Sequence, residues 1–150
     1  MRRAALTALV LVAACTAMKP TTPEIQARQE LMRSNKAALV ELGKMTTGEA
    51  SWNQAAAIRH STMLMSNAVM IPAKTEKGTG GESGRTRARP EIWLDWDKFQ
   101  AASDTLEDEA KAVLGLAKAN DEAAVRTRFA SVEKACDSCH TRFMFPEFPR

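Results

Sequence analysis

The sequence predicts an all-α fold, an antiparallel four-helix bundle. Apolar residues recur at helical spacing over four long stretches, as they do on amphipathic helices. No stretch shows the alternation of apolar and polar residues that marks a half-buried strand. Short links join the stretches, apart from one longer loop, and helices joined by short links pack antiparallel.

The first 15 residues are predicted to be an export signal. Two arginines precede an apolar run from Ala4 to Ala14, which is too short to span a membrane. The run ends in small residues before Cys15 and resembles a bacterial lipobox, in which Cys15 becomes the lipidated N-terminus. We favour this interpretation over ordinary cleavage near Ala14, because it explains the odd third cysteine. Residues 16–22 are then a tether, and 23–150 form the bundle.

The charge of the chain gives no sign of a nucleic-acid partner. The full sequence carries 21 basic and 18 acidic residues, for a net charge of +3. Removal of the leader takes away two arginines and leaves a net charge of +1. A near-neutral mature chain lacks the strong positive charge that attracts nucleic acids.

The first helix is predicted from Glu24 to about Lys44. Thr22 suits the N-cap position and Pro23 the first turn. The segment from Gly43 to Gly48 is predicted to end the helix. Residues repeat every seven positions in two neighbouring rows, which are Ile25, Met32, Leu39 and Arg28, Asn35, Leu42.

The second helix is predicted from about Glu49 to Met70, with Pro72 ending it. Its apolar positions include Trp52, Ala56, Met63, Ala68 and Met70. Residues 73–89 are Gly-rich and basic, which favours a solvated loop. Three alternating arginines in that loop suit an acidic partner, but a solvated loop is the simpler interpretation; they are Arg85, Arg87 and Arg89.

The third and fourth helices are predicted from Pro90 to about Asn120 and from about Glu122 to Phe143. Asn120 and Asp121 are expected to form a tight turn that caps the fourth helix. The third helix has its apolar positions at Ile92, Trp93, Trp96, Phe99, Leu106, Val113, Leu114 and Leu116. One side of the fourth helix presents Val125, Phe129, Val132, Cys136, Cys139 and Phe143. The tail, residues 144–150, contains two prolines and is predicted to be irregular.

The fourth helix ends with Cys136-Asp137-Ser138-Cys139-His140, a C-x-x-C-H sequence typical of covalent c-type haem attachment. Thiols three residues apart lie about one helical turn from each other, so both can reach the vinyl groups of one porphyrin. The adjacent imidazole is then expected to be the proximal iron ligand. A thioredoxin-type motif would follow a strand, and a zinc site would need four ligands, so both are less favoured. No structural disulfide is expected.

From about Ile25 to Phe143, the chain resembles the class II c-type cytochromes, the cytochrome c′ family. The resemblance rests on Arg28-Gln29, Ile92-Trp93, Phe99, the Asp121 turn and the C-terminal C-x-x-C-H. The C-terminal position of the motif is the most specific feature, because small class I cytochromes have it near the N-terminus. Cytochrome c′ is a known four-helix bundle, so the resemblance implies this fold around one covalent haem c with its iron.

The resemblance also implies roles for two residues of the first helix. Arg28 matches an arginine that binds a haem propionate in the family. Met32 lies one turn later on the same face and matches the distal position. Family members that bind gases have Leu, Phe or Tyr there and a five-coordinate iron, whereas low-spin members have Met. The resemblance therefore implies the low-spin branch, with His140 and Met32 as axial ligands.

Other residues compete with Met32 for the distal role. Methionine is common in helix cores, and spacing alone favours a core position for Met32. His60, on the second helix, is a rival ligand by its chemistry, although it is expected to face solvent or to cap a polar contact. The methionines of the second helix are rivals by residue type: Met63, Met65 and Met70.

These observations predict a monohaem c-type cytochrome that carries single electrons in the bacterial periplasm or at its membrane face. No nucleophile–base pair appears, so an enzyme is not predicted. The expected partner is a transient redox protein, not nucleic acid, and a lipid anchor at Cys15 and a homodimer are further options. One alternative is a five-coordinate cytochrome c′ that binds nitric oxide or carbon monoxide. A weaker alternative is a haem-free helical lipoprotein in which the cysteine pair is a thiol switch.

Overall fold

The computed structural model describes residues 21–148, and this part of the chain is helical without a strand. The helices are α1 (Pro23–Thr47), α2 (Gln54–Ala73), α3 (Glu91–Leu94), α4 (Trp96–Lys118) and α5 (Glu122–Phe143). The predicted signal peptide with Cys15 and the first part of the tether lie outside the described residues. None of the helices described is both long and apolar enough to cross a membrane.

The four long helices form the predicted bundle. Each packs against two others, in the order α1, α2, α4, α5 and back to α1. At one end, here called the turn end, short turns join α1 to α2 and α4 to α5, and Trp52 Nε1 donates to Asn120 Oδ1 at 2.9 Å. At the other end, here called the loop end, lie residues 74–90, the start of α1 and the end of α5. The predicted all-α bundle is therefore confirmed.

The ends of α1 show how burial overrides local signals. Thr22 caps the helix as predicted, with its side chain accepting from the Ile25 amide at 3.4 Å. The helix continues through Gly43 to Thr47 and ends at Gly48, whose φ is 82°. A glycine inside a helix costs about 1 kcal/mol, and the burial of Leu42 on the inward face of the same turn offsets that cost.

The boundaries of α2 also differ from the prediction. The helix begins at Gln54, later than expected, because the Asn53 side chain accepts from the Ala56 amide at 2.9 Å and caps it. Pro72 lies inside the last turn of α2 and does not precede the end of the helix. The prediction that Pro72 ends α2 was therefore wrong by about one residue.

The predicted third helix is divided into α3 and α4. The break lies at Asp95, whose φ of −121° and ψ of 49° are not helical. The Asp95 carboxylate accepts from Arg142 Nη2 of α5 at 2.6 Å, so a contact between distant segments accompanies the break. The predicted bounds of α5 are confirmed, and the Asp121 side chain caps it by accepting from the Ala124 amide at 3.0 Å.

The loop between α2 and α3 is packed against the bundle, so the prediction of a simple solvated loop was wrong. Several of its residues are buried, and these are Thr75, Thr79, Gly80, Gly84 and Thr86. Thr75 Oγ1 donates to the Ile71 carbonyl at 2.7 Å, which attaches the loop to the end of α2. The Trp93 indole N–H donates to the Glu76 carbonyl at 3.0 Å, which attaches the loop to α3.

Candidate haem site

The C-x-x-C-H sequence occupies the last two turns of α5, at the loop end of the bundle. Both thiols, Cys136 and Cys139, are half-buried against the core and form no disulfide. Phe143 anchors this end of α5, since it is 3% exposed and packs edge-on against Phe99 with ring centroids 5.3 Å apart. The thiols and His140 are thus held on one short, well-anchored stretch of helix.

Burial controls the pKa values of the two thiols. It raises the pKa of Cys136 to about 11, and the nearby Cys139, Asp137 and Glu133 add to the effect. Burial alone raises the pKa of Cys139 to about 11. A thiol switch works through a thiolate and needs a lowered pKa. The environment of these two thiols therefore argues against the thiol-switch alternative.

The His140 imidazole is half-buried, and this favours its neutral form. Burial lowers the pKa of His140, Asp137 opposes the shift, and the Arg87 charge adds to it. A neutral imidazole is the form that binds a metal ion. The chemistry of this residue therefore suits an iron ligand.

On α1, the buried residues lie along one face of the helix: Ile25, Arg28, Asn35, Ala38, Leu42 and Met45. Met32 falls between Arg28 and Asn35, and its side chain is partly buried against the core, as are those of Leu31 and Leu39. The inward face of α5 shows the same pattern, with Val132 buried and Cys139 partly exposed.

These partly exposed positions fit a haem. Two thiols, an imidazole and a thioether lie in the loop-end half of two helices that pack against each other. An apolar group placed between α1 and α5 at this level would complete the burial of both inward faces. The set of donors also matches covalent haem with two axial ligands.

Arg28 has partners that the sequence did not predict. Arg28 is 7% exposed, and its Nη1 donates to Thr79 Oγ1 at 2.8 Å. Its Nη2 donates to the Thr79 carbonyl at 2.8 Å and to Thr86 Oγ1 at 3.1 Å. Burial lowers the pKa of Arg28, and the Glu82 carboxylate opposes that shift. Arg28 therefore fastens the loop to α1 at the level just before Met32.

The rival ligands all lie on α2, which carries no part of the attachment motif. Met63 and Met65 are partly buried against the core, and Met70 is 41% exposed. His60 is partly buried near the turn end of α2, about 20 Å of helix from the loop end. Its Nδ1 is buried and makes no hydrogen bond within residues 21–148, so it caps no polar contact there through that atom. His60 is thus far from the haem-attachment motif.

A groove of about 560 Å³ lies between α4 and α5. Cys139 and Phe143 line one part of it, whereas His140 and Met32 are not among the residues of the described chain that line it. Its walls also carry charged side chains such as Lys98 and Glu109. This groove is therefore an open surface feature beside the candidate site and does not define the position of the haem.

A family model described as Cytochrome C' matches residues 23–144. The chain belongs to the cytochrome c′ family. It is 30% identical over 124 residues to cytochrome c′ from Rhodopseudomonas palustris, covering 81% of this chain and 82% of that protein. It is 27% identical over 147 residues to cytochrome c-556 from the same organism, covering 95% of this chain and 97% of that protein.

The solved structures agree on the fold. A nitric oxide complex of a single-site mutant of cytochrome c prime from Alcaligenes xylosoxidans superposes with a TM-score of 0.75 at 22% identity, covering 83% of this chain and 94% of that chain. Family membership establishes a monohaem c-type cytochrome with one covalent haem c and its iron. The cofactor prediction is therefore confirmed, whereas membership of the low-spin, Met-ligated branch stays a prediction.

Proposed function

We propose that this protein carries single electrons, with Cys136 and Cys139 attached to the haem and with His140 and Met32 as axial ligands. The observation that carries the proposal is the place of Met32. It lies one turn after buried Arg28, in the half of α1 that reaches the loop end, and its side chain is partly buried against the core. A thioether at this level can close the sixth site of an iron held by α5.

When bound, the haem supplies the one-electron chemistry of its iron. The chain supplies two neutral ligands, because burial keeps the His140 imidazole neutral and the Met32 thioether carries no charge. A soft, neutral thioether favours the reduced iron. The buried aromatic pair Phe99 and Phe143, at the end of α5, would provide apolar surroundings that help to set the reduction potential.

Arg28 is proposed to bind a haem propionate in addition to holding the loop. An arginine offers five N–H donors, and the three hydrogen bonds to Thr79 and Thr86 leave others for a carboxylate. A buried guanidinium bound to an anionic oxygen makes a strong, charge-assisted hydrogen bond. The same residue would then link haem, α1 and loop.

The partner and location follow from the same function. We propose a transient redox protein as partner, no nucleic acid and no enzymatic activity. The leader supports export to the periplasm, with a lipid anchor at Cys15 as an option. Exposed apolar side chains on α1 and α2 support a homodimer, namely Val40 at 45%, Val69 at 55% and Met70 at 41% exposure.

A second candidate function is the binding of nitric oxide or carbon monoxide at a five-coordinate haem. The comparisons favour it over electron transfer, because the family description and several relatives are named cytochrome c′ and one related structure is a nitric oxide complex. This function requires Met32 to be off the iron or displaceable. The residue at the distal position thus supports the first candidate, and the names of the relatives support the second.

The absorption spectrum of the matured protein separates the two functions. It should be recorded oxidised and reduced, with and without carbon monoxide, for the wild type, Met32→Leu and Met65→Leu. If Met32 is a ligand, the wild type is low-spin and indifferent to carbon monoxide, and Met32→Leu becomes high-spin and binds it. Met65→Leu is the matched control, since Met65 is also a partly buried methionine but lies on α2, and its spectrum should not change.

The opposite result would overturn electron transfer as the leading function. A broad, high-spin wild-type spectrum that responds to carbon monoxide and is unchanged in Met32→Leu would indicate an open distal site. Mass spectrometry of the peptide with Cys136 and Cys139 tests the attachment residues in the same sample. This peptide should carry the added mass of one haem.

A further inference from the structure

The loop and the C-terminal tail are paired through their main chains. The Arg89 amide donates to the Phe143 carbonyl at 3.0 Å, and the Phe145 amide donates to the Arg87 carbonyl at 2.8 Å. Between these two bonds, Ala88 and Met144 form an antiparallel bridge. We call this pairing of residues 87–89 with 143–145 the clasp.

The Arg87 side chain strengthens the clasp. Its Nε donates to the Phe145 carbonyl at 2.7 Å, so Arg87 binds Phe145 through both its side chain and its backbone. The neighbouring Arg89 guanidinium lies over the Phe145 ring, 5.5 Å from the centroid, and pairs with Glu91 at 2.9 Å. Arg85 makes no such backbone pairing with the tail among the hydrogen bonds described, and lies over the Phe148 ring at 4.2 Å.

The clasp begins where the haem-attachment motif ends. The Met144 amide donates to the His140 carbonyl at 3.0 Å, which closes the last turn of α5. Arg87 binds Phe145, the residue that follows this turn, and therefore holds the tail at the end of the helix that carries His140.

The other side of the same loop is fastened to α1. Arg28 binds Thr79 and Thr86, and Gln29 Nε2 donates to the Arg85 carbonyl at 3.1 Å. One loop thus joins the helix that carries Met32 to the helix that carries His140. Because the clasp lies at the end of α5, a change in it should affect the surroundings of His140 before those of Met32.

We propose that Arg87 is a positioning residue for the proximal side of the haem, because it locks the tail onto the loop and places a positive charge at the end of the helix that carries His140. The inference rests on the family's covalent haem and on His140 as proximal ligand, and it holds whether or not Met32 closes the sixth site. A positive charge near the iron stabilises the added electron, so it raises the reduction potential. The hydrogen bonds of Arg87 also hold the end of α5 in place.

The test uses the haem-loaded full-length protein and four chains: wild type, Arg87→Gln, Arg87→Lys and Arg85→Gln. Hydrogen exchange at the Phe145 and Arg89 amides measures the clasp, and the midpoint potential measures the charge. Arg87→Gln should speed exchange at both amides about fivefold, the size expected for one lost hydrogen bond, and shift the potential to lower values. Arg87→Lys keeps the charge and should keep the potential.

Arg85→Gln is the matched control, because it removes the same charge from the same loop outside the clasp. It should leave exchange at the two amides unchanged and should shift the potential less than Arg87→Gln does. Equal shifts in potential for the two glutamine variants would overturn the proposal, since the effect would then be one of net charge. The proposal would also be overturned if Arg87→Gln left both the amide exchange rates and the midpoint potential unchanged. A high-spin wild-type spectrum would refute the proposed Met32 ligand alone.

Discussion

The two ends of the bundle are packed in different ways. At the turn end, fully buried side chains from all four long helices close the core: Leu42, Ala57, Val113, Ala117 and Val125 are each at most 1% exposed. At the loop end, the same inward faces present partly exposed residues, which are Met32, Cys136, Cys139 and His140. The turn end is an ordinary protein core, whereas the loop end holds the residues proposed to bind the covalent haem.

This difference indicates how stability and function are divided. Close-packed apolar residues stabilise the fold wherever they lie, so the turn end can keep the helices together by itself. The loop end keeps donors for the haem, and its helices are joined by the loop, through Arg28 on one side and Arg87 on the other. Changes at the two ends should therefore be separable by experiment.

The largest effect is expected from removing the haem attachment with a Cys136→Ser/Cys139→Ser double variant. The protein should carry no covalent haem, and amides in the last turns of α5 and in the loop should exchange much faster than in the wild type. Turn-end amides should change less, because their core needs no haem. Mass spectrometry and hydrogen exchange provide the measurements, with Ser138→Ala as a control inside the same motif that keeps both thiols. Equal protection at the loop end with and without haem would show that protein contacts alone close it.

Phe129→Ala should lower the stability of the fold and leave the haem unchanged. Phe129 is 4% exposed on α5 near the turn end, and truncation of a buried phenylalanine costs about 3–5 kcal/mol. The free energy of unfolding should fall by that amount in a denaturant titration, while the absorption spectrum of the haem stays as in the wild type. Phe148→Ala, at a residue that is 40% exposed, is the control and should have little effect on stability. A changed haem spectrum in Phe129→Ala would mean that the two ends are not independent.

A smaller effect is expected at the turn between α4 and α5. Asn120 has a φ of 56°, and its side chain accepts from Trp52 Nε1 at 2.9 Å. Asn120→Ala should lower the free energy of unfolding by about 1–2 kcal/mol, because alanine tolerates this backbone conformation poorly and lacks the acceptor. Asn120→Gly loses only the acceptor and should cost less, as thermal unfolding would show. Equal losses for both variants would assign the effect to the hydrogen bond.

Local signals predicted the helices well where caps and periodicity agreed. Asp121 and the apolar repeat of α5 gave both ends of that helix, and Thr22 with Pro23 gave the start of α1. The errors lie where distant residues decide the backbone. The break at Asp95 coincides with its ion pair to Arg142, on a different helix, and the sequence near Asp95 contains no sign of it.

The candidate site was also predicted only in part, because local patterns reveal some of its residues and not others. The attachment motif is a local pattern of five residues whose spacing has a chemical meaning, so Cys136, Cys139 and His140 are recognisable in the sequence. Met32 is different, because a methionine at helical spacing fits a core and a ligand equally. Only the resemblance to the family singled out Met32. The structure adds that its side chain is partly buried against the core.

Four helical stretches, the C-x-x-C-H motif and its place at the C-terminal end of a helix can be predicted from the sequence alone. Each of these depends on residues within a few turns of one another, which is the range of caps, periodicity and motif spacing. The hydrogen-bond partners of Arg28 and Arg87, in contrast, are known only from the packed structure. Thr79 lies 51 residues after Arg28, and Phe145 lies 58 residues after Arg87. Contacts over such separations form only after the helices have packed, so no local pattern encodes them.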